Sequence, residues 1–98
     1  MERLIYKTFS GEEKEKRKIP DELIEKHSPI TIALMLKNIT PEVEFHEDDV
    51  IIAIINKTTP TGMEINVVLT QGVLIIFHLE KENVEEKEWK LWGIEVYK

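Results

Sequence analysis

The sequence contains no cysteine. Disulfides, thiolate nucleophiles and all Cys-ligated zinc or iron–sulfur sites are therefore excluded. Arginine is almost absent, with only Arg3 and Arg17, and the 13 Lys and Arg are outnumbered by 19 Asp and Glu. The resulting net charge is −6 and the pI about 5.1. Nucleic-acid binding draws most of its affinity from Lys and Arg neutralising phosphates, so direct binding of a duplex or single strand is not expected. Serine is limited to Ser10 and Ser28, which leaves little for nucleophilic catalysis. The four glycines, Gly11, Gly62, Gly72 and Gly93, are scattered and form neither a phosphate loop nor a dinucleotide fingerprint. No cofactor is expected. No apolar run approaches the ~18 residues of a membrane span, and Met1–Lys7 has no signal-peptide core. The chain is read as cytoplasmic.

What is present describes one domain. A chain of 98 residues suits a single core that buries roughly two-thirds of its unfolded surface. Apolar residues make up 42%, enough for such a core, while charged residues reach 33%, above the usual quarter. Glu and Lys dominate the charged set, and Gln71 is the sole glutamine. That bias fits a heat-adapted source.

Periodicity predicts an α+β fold: a mainly antiparallel sheet of about five strands with one or two short helices on one face. Residues 2–9 read as a first strand. Residues 12–18, all charged, read as a mobile solvated loop or exposed helical turn. Pro20 to His27 reads as a short helix, with Pro20 at its first position and Lys26 and His27 at its C-terminal end. Residues 28–39 carry two patterns. Ile30, Ile32, Leu34 and Leu36 alternate as in a strand, whereas Ser28-Pro29 would open a helix; the strand is the reading adopted. Val50 to Lys57 reads as a strand, with a short helix capped by Asp48 or Asp49 as the alternative. Met63–Thr70 and Val73–Lys81 form a hairpin around Gln71-Gly72, and Lys87–Tyr97 is the last strand.

The alternation bears on function. Ile65, Val67 and Leu69 oppose Glu64, Asn66 and Thr70, as expected of a sheet with one wet face. The strands at 50–55 and 73–79 are apolar on both sides. One short helix covers about one face, so if 28–39 is a strand the other needs a second source of cover; if 28–39 or 48–57 is helical, the chain can cover itself and the need for a partner weakens. A homodimer or an obligate partner is expected on the face bearing Leu74, Ile76 and His78. On regular strand spacing Trp89, Leu91 and Tyr97 share one side of the last strand and Trp92, Ile94 and Val96 the other. Trp89, Leu91 and Tyr97 are added as interface candidates, because large rings with a polar tip suit interfaces.

Two other constellations were weighed. Glu44, His46 and Asp48 would project to one side of an extended chain and could hold a cation, although their spacing matches no known calcium loop. His78 is the best candidate for a pH-sensitive contact. Three functions follow: an acidic, non-catalytic, homodimeric interaction module; an acidic inhibitor of a basic nucleic-acid-binding protein, presenting the acids at 42–49 and 80–88; or a small metal-dependent hydrolase assembled at a dimer interface from His46, Asp48, Asp49 or His78.

Overall fold

The computed structural model describes residues 1–98. Its elements run β1 (Arg3–Thr8), α1 (Gly11–Glu15), β2 (Lys18–Pro20), α2 (Asp21–Lys26), α3 (Pro29–Asn38), a single 3-10 turn (Glu47–Asp49), β3 (Val50–Thr59), β4 (Gly62–Leu69), β5 (Leu74–Glu80) and β6 (Glu88–Tyr97). The chain is α+β, as the periodicity predicted. The sheet order is β1-β6-β5-β4-β3, with every pairing antiparallel. The short β2 lies along β6 as well, at Glu88–Lys90, beyond the stretch that β1 occupies.

This order explains where the helices go. Strands β3 to β6 form a meander of adjacent antiparallel neighbours. Only residues 21–49 must travel from the β6 edge to the far edge at β3. They do so beneath one face, carrying α2 and α3. That face holds the core: Met63, Ile65, Val67 and Leu69 of β4, Ile75, Phe77 and Leu79 of β5, and Ile32, Ala33 and Leu36 of α3 are all buried. The molecule measures 38 × 27 × 22 Å. Its shortest dimension accommodates one sheet and one helical layer at about 10 Å each, and no third layer.

Two expectations need correction here. Residues 28–39 form a helix rather than a strand. Ser28 accepts a hydrogen bond from the Thr31 N–H at 3.3 Å and Pro29 occupies the first helical position, so the chain end is capped and pre-set for helix. Ile32 and Leu36 are four apart and lie on one face in either conformation. Ala33 discriminates: it is buried beside them, while Leu34 stays half-exposed, which only the helical period produces.

Residues 12–18 begin with the exposed helical turn α1, one of the two readings of this run. Its chain continuation delivers Arg17 into the protein, where only 8% of its surface remains exposed. The guanidinium stacks on the Phe9 ring at 3.9 Å. It donates to both carboxylate oxygens of Glu42 at 3.0 Å, to Glu13 at 3.0 Å and to the Ile39 carbonyl at 3.1 Å. A buried guanidinium is tolerated only when so fully bonded. Pro20, expected inside the following helix, instead ends β2 in extended conformation and sits just before α2.

Candidate functional site

Register places the side chains on each face. In the meander, Ile52, Val68, Leu74, Tyr97 and Arg3 follow one another across the sheet, and so do Ile54, Asn66, Ile76, Glu95 and Tyr6. A third row carries Asn56, Glu64, His78, Gly93 and Thr8. All project away from α2 and α3. Only α1 touches this outer face, at one corner, where Lys14 bonds Glu80 at 2.8 Å and Glu15 bonds Lys90 at 2.6 Å. The rest carries no covering element. Ile52, Ile54 and Tyr6 are 45%, 50% and 52% exposed, and Val68, Leu74 and Ile76 are half-exposed. Burial along β5 alternates strictly, with Leu74, Ile76 and His78 facing out. The expected docking face is thus bare even though 28–39 is helical.

Trp89 and Leu91 do not belong to it. Both are buried, at 1% and 0% exposure. Their expected company with Tyr97 fails because β6 contains one extra residue: His78 pairs with Gly93 but Leu79 pairs with Leu91. The bulge at Trp92 reverses the parity of the strand. Trp89, Leu91, Ile94 and Val96 therefore point inward, and Lys90, Trp92, Glu95 and Tyr97 outward. Trp89 is held by its ring N–H, which donates to Asp21 Oδ1 at 2.9 Å. That bond is the chief reason the Asp21 carboxyl lies below its usual range. Gly93 sits where a side chain would be tight: an added Cβ would lie 3.4 Å from the Lys7 carbonyl and 3.7 Å from the His78 ring.

A polar network crosses the outer face. His78 Nε2 lies 2.7 Å from Glu95 Oε2, and Nδ1 lies 3.8 Å from Glu64. The Trp92 ring packs on the imidazole, with centroids 4.8 Å apart. The Tyr97 hydroxyl donates to Glu95 Oε1 at 2.7 Å, and Arg3 approaches the same oxygen at 3.9 Å. Tyr97's hydroxyl and then His78 hold the Glu95 carboxyl below its usual range. Beside His78 is an open hollow of about 450 Å³, lined by Thr58, Thr59, Thr61, Glu64, Glu80 and Trp92 among others. One imidazole nitrogen is bonded to a carboxylate and the other faces one. The hydroxyls that line the hollow are those of Thr58, Thr59 and Thr61.

The acidic segment behaves otherwise than expected of a cation site. Glu44 is exposed and leans toward Lys37 at 3.7 Å. The His46 N–H donates to Asp49 Oδ2 at 3.2 Å, so Asp49 caps the 3-10 turn. Asp48 is exposed. Nowhere do three His, Asp or Glu side chains converge with geometry for a metal ion. Glu44, His46 and Asp48 are thus a surface turn. The acids at 80–88 are mostly engaged internally, since Glu82 and Glu86 approach Lys90 and Glu88 approaches Lys18.

No helix is long and apolar enough to cross a membrane. No family model, curated protein or solved structure matches the chain.

Proposed function

We propose that this protein is a non-catalytic interaction module whose outer sheet face docks onto the same face of a second copy. One observation carries the reading: the apolar corner formed by Ile52, Ile54, Val68, Leu74 and Ile76 on a face that nothing in the chain covers. β5 is the central strand of the path, and Leu74, at its start, and Ile76 carry the patch from the β3 edge to the middle of the sheet. Beyond it, Arg3 and Tyr6 on β1 and Asn56 further along β3 bring polar groups to the same face.

Size supports the reading. Five strands spaced ~4.8 Å and about seven residues of ~3.3 Å rise give roughly 550 Å² in projection. Side-chain relief brings the accessible area toward the ~800 Å² per partner of an ordinary specific interface. Charge supports a second copy. Acidic chains of net charge −6 repel one another, and they approach best through their least charged surface. On this face the Glu95 carboxylate is partly offset by Arg3, 3.9 Å away.

Sedimentation velocity from about 1 to about 100 µM tests this, because a dimer with Kd in the micromolar range resolves there. A dimer is expected, with Trp92 emission shifting blue on association. A single monomeric species across that range, with constant emission, would overturn the reading.

A further inference from the structure

The sheet ends at β3, which pairs with β4 and with nothing on its other side. Which backbone groups face the open edge follows from the neighbouring ladder. The Leu69 N–H donates to the Val73 carbonyl, and at the far end the Lys81 N–H donates to the Thr61 carbonyl. Odd residues of β4 are therefore turned toward β5 and even residues toward β3. In the register of β3 on β4, Ile52, Ile54 and Asn56 bond inward. Ala53, Ile55 and Lys57 turn their N–H and C=O groups to the open edge. α3 seals Ala53 from below, since only 8% of its surface is exposed, so a partner strand must approach edge-on.

A ten-residue unpaired edge, seven of whose residues are β-branched, is a template for another strand. Natural edges of this kind usually carry inward charges or a proline. Here there is no charge between Val50 and Asn56, and the protection is a bulge at Ile51. The charges sit at the two ends instead: Glu47, Asp48 and Asp49 precede the strand, and Lys57 lies near its close. Such a strand complements itself in one direction only. Antiparallel pairing sets each Lys57 against the other copy's acidic turn, whereas parallel pairing sets acid against acid.

We propose that β3 is a second contact between copies: two β3 edges pair antiparallel about a twofold near Ala53, and two sheets become one. Ile52 of one copy then lies beside Ile54 of the other on the outer face, a favourable cross-strand pair. Lys57 lies within reach of Asp48 and Asp49 of the other copy. This contact is independent of face-to-face docking, which centres on Leu74 and Ile76, so either can fail alone.

Amide hydrogen exchange by NMR tests it in a Leu74→Thr, Ile76→Thr background, which weakens the face without touching β3. Raising the concentration from about 10 µM to about 1 mM should slow the Ala53 and Ile55 amides by about tenfold or more, as pairing closes them; the Lys57 amide should not change, because the Asp49 carbonyl opposite it is already bonded to the Thr70 N–H. Lys57→Glu should abolish that protection, and adding Asp48→Lys to it should restore it. Exchange at the Ala53 and Ile55 amides that ignores concentration would overturn the proposal. Protection that survives Lys57→Glu, or that the charge swap fails to restore, would overturn the antiparallel arrangement it rests on.

Discussion

Replacing Leu74 and Ile76 together by threonine separates folding from docking. Both side chains point away from the buried layer and both are half-exposed. Threonine is β-branched and suits a strand, so the lone subunit should lose no more than about 1 kcal/mol. In the proposed dimer both side chains lie within the buried area. Shortening a buried apolar side chain forfeits ~0.8 kcal/mol per methylene, and part of each is already sheltered within the subunit. About 1 kcal/mol per side chain is a fair figure. A twofold interface counts every substitution twice, so four losses amount to about 4 kcal/mol, or roughly a thousandfold in Kd. Sedimentation equilibrium of both proteins measures that ratio, and a thermal melt confirms that the variant is folded. Val84→Thr, at a 62% exposed position in the β5–β6 connection, is the control and should leave Kd unchanged. A folded double variant that dimerises as tightly as the parent would refute the assignment of the outer face.

Two further outcomes follow from the interior. The Glu42 carboxyl is raised by burial, but Arg17's hydrogen bonds, the local backbone and Lys7 overcome this and bring it from 4.5 to about 2. Since its folded pKa lies below the unfolded one, its stabilisation is complete above about pH 5 and disappears as pH falls toward 2. The linkage ceiling is about 3 kcal/mol, reduced to about 2 by solvent screening of the partly exposed pair. Thermal melts from about pH 2 to 7 should thus show Glu42→Gln less stable at neutral pH and with a flatter acid limb; parallel limbs would contradict this. Trp89→Phe removes the N–H that binds Asp21, and should cost about 1.5–3 kcal/mol in urea unfolding. A loss within error would show that solvent or Lys81 replaces the bond.

Legibility in the sequence depended on whether neighbouring periods could be told apart. Strands β4 and β5 were readable because Glu64 and Asn66 interrupt the apolar series at period two, and Gln71-Gly72 marks their turn; Gly72 does adopt the positive φ (78°) that glycine accommodates. The outward side of β5 was readable for the same reason, through Leu74, Ile76 and His78. Helix α3 was not, since Ile32 and Leu36 satisfy both periods and only the burial of Ala33 decides. The Trp92 bulge was also hidden: a single added residue changes no composition, yet it sends Trp89 and Leu91 inward. Arg17 lay inside a charged run whose chemistry gives no hint that one member is folded back onto Phe9 and Glu42. Its partner was twenty-five residues away, and only the tertiary path of 39–42 brings it there.

The case for a docking face was first built on 28–39 being a strand, and the helix that formed instead does not remove it. A helix in a two-layer fold can shield one side of the sheet, and α3 lies under β3 and β4 on the side where the core already is. The remaining face is set by connectivity, because the only segment that leaves the sheet plane to cross its width is 21–49. What distinguishes that face from an ordinary wet one is where the charges are missing. A third of the residues are charged, yet between Val50 and Asn56 and between Val73 and Phe77 there are none. Solvent-facing positions in such runs carry no solubility advantage as isoleucine or leucine, and they favour aggregation. That so acidic a chain leaves the central strand's outer positions as Leu74 and Ile76 is the ground on which the proposed docking rests.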